Sequence, residues 1–221
     1  MFYFGDDEVV KRIIFDLDET LIPWDKQWDI AVKETLDEFG IDYDFKSLED
    51  YQKAIVKYET EEKRYSIDRL VSFFSDYLGI QLSSEFFNRW IDKLSVLVPE
   101  KDEKLISMLS RLSKKYSLVV ATNWFKRQQV SKLKLCGLLD FFDEVITGED
   151  FDIKPSTQMF NYYKQGYDDS EVVMVGDKYE SDIKGANDAG LHGYLITTDS
   201  KYTSNDNDTV IKNIYELEKY L

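Results

Sequence analysis

Cysteine and histidine are almost absent from this chain of 221 residues, which contains one of each, Cys136 and His192. A single cysteine cannot form an internal disulfide or a thiolate metal site. Cys136 falls in a helical pattern with Val130 and Leu133, so we expect a small buried side chain and not a catalytic thiol. A single histidine excludes a histidine-rich metal site and leaves acid–base catalysis to carboxylates, unless His192 itself is placed to act.

Positive charge is also scarce, because 28 lysines and arginines face 43 aspartates and glutamates and give a formal net charge of -15. This charge repels nucleic acid and anionic lipid at long range, and no cluster of basic residues reverses it locally. Long apolar runs are missing too, and Met1–Gly5 has no basic flank, so we expect neither a signal peptide nor a membrane span. We therefore predict a cytoplasmic protein without nucleic-acid or membrane partners, as a monomer or small homo-oligomer.

Hydrophobic residues make up 43% of the chain, enough to bury one large domain or one domain that carries a smaller insert. Between residues 23 and 97, four helical patterns follow one another without a strand. The patterns involve Trp28, Val32, Leu36 and Phe39; then residues 47–63; then Ile67, Leu70, Val71, Phe74 and Leu78; and finally Phe86, Trp90, Ile91 and Leu94. This block is predicted to be an inserted all-helical domain.

From Pro99 onward, short apolar strands alternate with helical patterns. The predicted strands are 13–15, before the insert, and 118–121, 144–147, 172–175 and 194–196, after it. Val210, Ile214, Leu217 and Leu221 predict a closing helix. Alternation of this kind predicts an α/β fold with a doubly wound, Rossmann-like parallel sheet. The predicted core is therefore 1–22 and 98–221, and the predicted insert is 23–97.

Polar side chains follow three of the predicted strands: Asp16 and Asp18, Thr122 and Asn123, and Asp177. In a sheet of this class, the functional site lies at the carboxyl ends of the strands, near the point where the strand order reverses. His192 precedes its strand, so we place it at the opposite edge with a structural role.

Asp16 and Asp18 stand one residue apart, so both side chains point to the same side if the chain stays extended. Two neighbouring carboxylates favour a divalent cation or a shared proton. The alternative is a strand that simply exits into a polar loop. A calcium-binding loop fits poorly, because counting from Asp16 it needs Gly where Leu21 stands and Glu where Gln27 stands.

Four short motifs occur in order, each at a predicted strand end or helix start. They are Asp16-Leu17-Asp18-Glu19-Thr20, Ala121-Thr122-Asn123, Lys154-Pro155, and Gly176-Asp177 followed by Asp182. Together they resemble the motifs of the haloacid dehalogenase-like hydrolase superfamily, in its phosphatase branch with a helical cap inserted after the first strand. The resemblance covers the predicted core and is weakest in the insert.

The resemblance implies a phosphoryl-transfer site in which Asp16 is the nucleophile and forms an aspartyl-phosphate. It also implies a Mg2+ ion held by the carboxylates of Asp16 and Asp177 and by the backbone carbonyl of Asp18. Asp182 is implied nearby, through a water or by orienting another ligand, while the sequence equally allows Asp182 as the N-cap of a helix.

The resemblance further implies that phosphate oxygens bind the Thr122 hydroxyl, the Asn123 backbone N–H and the Lys154 ammonium. Asp18 is implied as the acid that protonates the departing alkoxide and as the base that then activates water. Dehalogenases of this superfamily carry a different residue there, so Asp18 argues against carbon–halogen cleavage. Thr20 is expected only to stabilise the turn that leads to the insert.

The predicted function is magnesium-dependent hydrolysis of a small soluble phosphate monoester, of the sugar-phosphate or nucleotide class. The alternatives are a phosphomutase that uses the same residues and a non-catalytic binding module, which the complete set of charged motif residues disfavours. In the insert, Trp24, Trp28, Lys63 and Arg64 are candidates to face the substrate. Trp28 also fits the apolar helix stripe, and the basic pair also fits a solvated surface.

Overall fold

The computed structural model describes residues 10–24 and 26–221, except for the side chains of Phe45 and Ser47, and its centre is a six-stranded parallel sheet. The strands are β1 (Arg12–Phe15), β2 (Ser117–Ala121), β3 (Glu144–Ile146), β4 (Val172–Gly176), β5 (His192–Ile196) and β6 (Asp208–Ile211). Their order is β3-β2-β1-β4-β5-β6, and all neighbours pair in parallel. The predicted doubly wound α/β class is confirmed.

The helices divide into an inserted group and a group that connects strands. The inserted helices are α1 (Gln27–Glu38), α2 (Phe45–Glu61), α3 (Ile67–Leu78) and α4 (Ser84–Leu94), all between β1 and β2. The connecting helices are α5 (Glu103–Leu112), α6 (Lys126–Leu135), α7 (Gln158–Tyr163) and α8 (Lys184–Asp188). The helical insertion after the first strand is confirmed, and its limits at 23 and 97 stay a prediction.

β1 lies in the middle of the sheet, and its three apolar residues are fully buried. Ile13 and Phe15 pack in one cluster with apolar residues of α5 and α6, and Ile14 packs in another with residues of α7 and α8. Alternate side chains of one strand therefore contact helices on opposite faces of the sheet. Burial of each of these side chains stabilises the folded chain by about 1.5–3 kcal/mol.

The insert has its own apolar core, which is rich in aromatic rings. Helix α4 packs against α1 and α3, and its fully buried Trp90 lies beside Trp28 of α1 at a centroid distance of 4.5 Å. Helix α3 begins at Ser66, whose Oγ accepts the Arg69 N–H at 3.3 Å, and ends at Gly79, which takes a φ of 68°. The insert is therefore a packed unit with helix limits set by local sequence.

The end of the chain differs from the predicted closing helix. Val210 lies in β6, a sixth strand that the sequence analysis missed, and the final helix is the short 3-10 helix Ile214–Lys219. The apolar spacing that predicted one helix therefore joined residues of two elements. Thr209, Val210 and Ile211 are all β-branched, and the pleated surface of a sheet accommodates such residues better than a helix does.

Both rare side chains lie away from the carboxyl ends of the strands. His192 begins β5, and its Nε2 lies 2.9 Å from Thr209 Oγ1 on β6. Burial lowers the pKa of His192. Cys136 is buried directly after α6, where burial raises the pKa of its thiol. These positions agree with the structural roles expected for the two residues.

Membrane-spanning helices were not expected from the sequence. Across residues 10–24 and 26–221, no helix is long and apolar enough to cross a bilayer. The stretch Met1–Gly5, on which the signal-peptide expectation was based, lies outside the described residues.

Candidate active site

The polar residues that follow β1, β2 and β4 meet at one edge of the sheet. β1 has β2 on one side and β4 on the other, so the strand order reverses beside it. Asp16 stays in line with the sheet, because its backbone N–H donates to the carbonyl of Val175 at 2.9 Å. This edge, at the reversal of strand order, is where a doubly wound sheet places its ligand site.

Three carboxylates, those of Asp16, Asp177 and Asp182, form a cluster whose oxygens lie within 4.8 Å of one another. Lys154 supplies a cation to two of them, because its Nζ donates to Asp16 Oδ1 and to Asp182 Oδ1, both at 2.6 Å. Asp182 is only 1% exposed and Lys154 only 4%. Burial lowers the pKa of Lys154, but the two carboxylates outweigh burial and hold that pKa above its usual value.

The cluster fits a divalent cation because it holds excess negative charge. Burial, with Asp16 and Asp182 nearby, raises the pKa of Asp177 to about 7. Carboxylates in such close contact repel one another, and a hard cation with oxygen ligands relieves that repulsion. Thr20, which was expected only to stabilise a turn, donates its hydroxyl to Asp177 Oδ1 at 3.2 Å and so helps to orient it. The donor set therefore fits Mg2+.

Asp182 lies inside a π-helical turn, Tyr179–Ile183, that follows β4. Its Oδ2 accepts the backbone N–H of Lys178 at 3.1 Å. An N-cap side chain accepts from amides that follow it in a helix, whereas Asp182 accepts from an amide that precedes it, so the N-cap alternative is wrong. Gly176 makes room for this carboxylate, since a Cβ there would lie 2.4 Å from Asp182 Oδ2.

The Asp18 carboxylate contacts two side chains of α6. Gln129 Nε2 donates to Asp18 Oδ2 at 2.9 Å, and Lys132 forms an ion pair with Asp18 Oδ1. Lys132 is fully buried, and its Nζ lies 3.5 Å from the centroid of the Trp24 ring. Burial lowers the pKa of Lys132, which the Asp18 carboxylate opposes.

The sequence analysis missed Gln129 and Lys132. They stand three residues apart, so they share one face of α6, and that face is buried against the strand ends. The sequence held one signal for them: two polar residues at helical spacing in a helix that packs on a sheet. Such a pair indicates buried polar side chains, and buried lysine and glutamine side chains are rare without a partner.

Gln129 also connects the two residues that follow β2. Its Nε2 donates to Thr122 Oγ1 at 3.1 Å and to the backbone oxygen of Asn123 at 3.0 Å. Because Thr122 Oγ1 accepts this bond, its own hydroxyl hydrogen remains available to another acceptor. Asn123 Oδ1 accepts the backbone N–H of Lys154 at 3.1 Å, which ties the loop after β2 to the loop that carries the lysine.

The insert reaches the strand ends through α2 and the segment that follows it. Glu59 of α2 accepts hydrogen bonds from Asn123 Nδ2 at 3.3 Å and from the hydroxyl of Tyr65. Burial lowers the pKa of nearby Lys178, but Glu59 and the aspartate cluster raise it above its usual value. A carboxylate of the insert therefore lies close enough to favour the charged form of a core lysine.

Two backbone hydrogen bonds join the same segment to the core, and we call them the main-chain bridge. The N–H of Tyr65 donates to the carbonyl of Gly148 at 2.8 Å, and the N–H of Ile153 donates to the carbonyl of Lys63 at 2.6 Å. Gly148 is required at this contact, because a Cβ there would lie 2.5 Å from the Tyr65 ring.

A cavity of about 550 Å³ lies between the insert and the strand ends. Asp16, Asp18 and Lys154 line it from the core. Of the four insert residues considered from the sequence, Trp24 and Trp28 line the cavity, whereas Lys63 and Arg64 do not. Lys63 is exposed, and Arg64 Nε contacts Asp152 Oδ1 at 3.0 Å, so neither basic side chain faces a ligand in this cavity.

Known proteins resemble this chain in sequence and in fold. A family model described as haloacid dehalogenase-like hydrolase matches residues 13–196. The chain is 31% identical over 203 residues to the ribulose-1,5-bisphosphate 5-phosphatase of Halopiger xanaduensis, covering 83% of each protein. It is 27% identical over 198 residues to the pyrimidine 5'-nucleotidase PynA of Streptococcus pneumoniae, covering 82% of this chain and 81% of that protein. The Bacillus subtilis hydrolase YfnB, solved with bound magnesium, shares the fold at a TM-score of 0.78 and 21% identity, covering 96% of this chain and 99% of that one.

Proposed function

The chain belongs to the haloacid dehalogenase-like hydrolase family, and we propose that it is a magnesium-dependent phosphatase of small soluble phosphate monoesters. The proposed substrate class covers sugar phosphates and nucleotides, as the activities of the curated relatives do. The observation that carries the proposal is the contact of Asp16 with Lys154 at 2.6 Å, beside two further carboxylates and at the wall of the cavity.

In the proposed first step, a carboxylate oxygen of Asp16 attacks phosphorus while the bond from phosphorus to the leaving oxygen breaks. Lys154 binds Asp16 Oδ1, which leaves Oδ2 as the attacking atom. The Thr122 hydroxyl, the Asn123 N–H and the Lys154 ammonium bind the remaining phosphate oxygens, where negative charge is spread in the transition state. Asp18 donates a proton to the departing alkoxide, and an aspartyl-phosphate is formed.

In the proposed second step, water attacks the phosphorus of the aspartyl-phosphate, and the bond from phosphorus to Asp16 breaks. Asp18 accepts the proton of that water, which returns Asp18 to its acidic form and releases inorganic phosphate. Gln129 and Lys132 both present hydrogen-bond donors to the Asp18 carboxylate, so they hold it as the acceptor that this step needs.

The proposed protein ligands of Mg2+ are the carboxylates of Asp16 and Asp177 and the backbone carbonyl of Asp18. The chemistry supplied by bound Mg2+ is neutralisation of the charge between the attacking carboxylate and the phosphate dianion. Asp182 shares Lys154 with Asp16, so we propose that Asp182 orients that lysine rather than binding the substrate.

The two alternative functions differ in what they require of this site. A phosphomutase uses the same residues but needs an insert that excludes water from the aspartyl-phosphate. A non-catalytic binding module does not need Asp16, Lys154 and Asp182 in mutual contact, yet both Lys154 contacts are only 2.6 Å long. We therefore retain hydrolysis as the proposed reaction, with the insert of residues 23–97 selecting the ester and gating water.

The direct test is phosphate release from a broad panel of phosphate monoesters, measured with and without Mg2+. We expect turnover of at least one class of natural ester and of p-nitrophenyl phosphate, with loss of turnover when a chelator removes the metal. Absence of phosphate release from every ester in the presence of Mg2+ would contradict the proposal. Transfer of phosphate within a sugar phosphate without release would indicate the mutase.

Asp177→Asn is expected to raise the Mg2+ concentration for half-maximal activity by at least about 10-fold, because a hard-cation site loses one of its two carboxylate ligands. Thermal unfolding gives a second readout, since Mg2+ should raise the midpoint of the parent much more than that of the variant. The matched control is Asp140→Asn, because Asp140 is the exposed residue of the 3-10 helix Leu139–Phe141. Equal magnesium dependence in all three proteins would show that Asp177 is not a ligand.

Lys132→Met is expected to lower kcat by about 10- to 100-fold with little change in KM, because Asp18 loses one of its two donors and no longer keeps its position. Methionine fills the apolar space of the lysine stem, so the fold should persist. The control is Lys134→Met, an exposed lysine of the same helix. Lys132→Arg should recover part of kcat, since a guanidinium also donates to a carboxylate. If Lys132→Met and Lys134→Met have the same kcat, Lys132 does not position Asp18.

A further inference from the structure

The insert holds the segment that carries Lys154 at two consecutive backbone amides. In the main-chain bridge, the N–H of Ile153 donates to the carbonyl of Lys63 in the insert at 2.6 Å. The next amide, that of Lys154, donates to Asn123 Oδ1 at 3.1 Å, and Asn123 Nδ2 donates to Glu59 of the insert at 3.3 Å. The backbone that places the Lys154 ammonium is therefore held by the insert, once directly and once through the Asn123 side chain.

The Asn123 amide can serve both partners in one orientation only. The Lys154 N–H is a donor and must face the amide oxygen, whereas the Glu59 carboxylate accepts and must face the amide nitrogen. A rotated amide would set donor against donor and acceptor against acceptor, and both hydrogen bonds would be lost. The contact with Glu59 thus fixes the orientation in which Asn123 accepts from Lys154.

Glu59 is itself held by Tyr65, a second residue of the insert. The Tyr65 hydroxyl and Asn123 Nδ2 both donate to the same oxygen, Glu59 Oε1. Tyr65 is buried, and its ring packs 5.1 Å from the ring of Trp124 in the core. A packed side chain of the insert therefore directs the Glu59 carboxylate toward Asn123.

This series of contacts ends at the proposed nucleophile. Lys154 Nζ donates to Asp16 Oδ1 and to Asp182 Oδ1, both at 2.6 Å, from a buried position. Displacement of a positioned group by about 1 Å can lower a rate by about 100-fold. The position of the insert can therefore affect Asp16 without contact between Glu59 and the substrate.

We propose, on the basis of the phosphatase function proposed above, that Glu59 is a positioning residue that acts on Lys154 through the Asn123 side chain. Docking of the insert forms the contact between Glu59 and Asn123 and orients the amide. The amide then places the Lys154 segment, so that the ammonium meets Asp16 and a phosphate oxygen together. The site is thus assembled for phosphoryl transfer only while the insert is docked, a role beyond the selection of the ester and the gating of water.

The first test compares two substitutions of Glu59. In Glu59→Ala we expect kcat to fall by about 10- to 50-fold while KM changes by less than about 3-fold. The factor should be the same for p-nitrophenyl phosphate and for the best natural ester of the panel. Glu59→Gln keeps an acceptor for Asn123 and should retain kcat within about 3-fold. The matched control is Glu61→Ala, at the exposed last residue of the same helix.

Two results would overturn the assignment. Equal kcat in Glu59→Ala and Glu61→Ala would show that Lys154 does not need Glu59 for its position. A higher KM with unchanged kcat, or a loss that differs between the two esters, would show that Glu59 contacts the substrate instead.

An exchanged pair tests the contact separately from its charge. Asn123→Asp keeps an acceptor for the Lys154 N–H but sets two carboxylates against each other, so kcat should fall by at least about 10-fold. Addition of Glu59→Gln restores a donor and an acceptor in reversed order, and kcat should recover by at least about 5-fold. The charge added at position 123 is present in both proteins, so recovery measures the contact. Absence of recovery would overturn the proposal, also where Glu59→Ala does not fold.

Amide hydrogen exchange separates this inference from the proposed reaction. By NMR, the Lys154 N–H should exchange at least about 5-fold faster in Glu59→Ala than in the parent, because the Asn123 amide loses its support. Glu61→Ala should match the parent. Faster exchange in Glu59→Ala, together with no phosphate release by the parent, would support the positioning contact and contradict the phosphatase. Equal exchange in all three proteins would overturn the positioning role even if the parent protein is a phosphatase.

Discussion

Replacing Asp16 with asparagine is expected to lower kcat by about 10⁴-fold or more, because the substitution removes the proposed nucleophile. The structure predicts that the fold survives. The backbone N–H of Asp16 keeps its bond to Val175, and Lys154 keeps its hydrogen bond to Asp182 at 2.6 Å. The loss should therefore be chemical, and it also includes a weaker metal site, since a carboxylate ligand becomes an amide.

The measurement is steady-state turnover of p-nitrophenyl phosphate at saturating Mg2+, with circular dichroism and thermal unfolding as tests of the fold. Asp140→Asn serves again as the matched substitution on an exposed surface. Undiminished turnover in a folded Asp16→Asn protein would remove Asp16 from the mechanism and with it the aspartyl-phosphate.

Asp18→Asn is expected to separate the two proposed steps. The nitrophenolate leaving group is a weak base, so the first step scarcely needs the acid that is lost. Breakdown of the aspartyl-phosphate still needs a base, so the second step should slow by about 10²- to 10⁴-fold. The variant should release about one p-nitrophenol per active site in a burst and then turn over slowly, as expected for an accumulating covalent intermediate.

The Asp18→Asn substitution also affects the stability of the fold. The asparagine carbonyl can accept only part of what Gln129 and Lys132 donate to Asp18, and Lys132 loses its counter-charge in a fully buried place. Thermal unfolding is therefore measured in parallel, and the double variant Asp18→Asn with Lys132→Met restores a neutral pair. Mass spectrometry of the quenched protein should find one phosphoryl group on the peptide that contains Asp16. A steady state without a burst in both variants would exclude Asp18 as the base.

The local pattern was enough to predict the strand ends but not every side-chain contact at them. Asp16, Thr122 and Asp177 each follow an apolar run that predicts a strand. Because the carboxyl ends of parallel strands lie at the same edge of a sheet, these residues are expected to lie near one another. Gln129 and Lys132 could not be assigned in the same way, because they contact Asp18 from more than 100 positions away in the chain. Which helix face meets which strand end is decided by packing of the whole sheet.

The missed sixth strand has a different physical cause. β6 is a short edge strand that pairs with β5 alone, so only one side of it is stabilised by sheet hydrogen bonds. Its two inner residues, Thr209 and Val210, are half-buried, and this removes the continuous apolar run that marks a central strand. Whether such a segment forms a strand depends on its pairing with a neighbouring strand, and the local sequence pattern carries no information on that pairing.

The insert illustrates the limit for ligand specificity. Its helices were predictable from apolar spacing, but Trp28 belongs both to the apolar core of the insert and to the cavity wall. The spacing that predicts burial does not distinguish these two positions. Only the packed structure shows that the Trp28 ring lines the cavity.

The main-chain bridge also bears on how substrate enters. Separation of the insert from the core at this place breaks both backbone bonds, whose net contribution is about 1–3 kcal/mol together. These two bonds alone would favour contact over separation at this place by roughly 5- to 150-fold. Since the bridge is made by main-chain atoms, side-chain substitutions at Tyr65 or Ile153 leave its hydrogen bonds in place. Any ester that needs the insert to separate from the core at this place would therefore bind with an apparent affinity lowered by the cost of breaking these bonds.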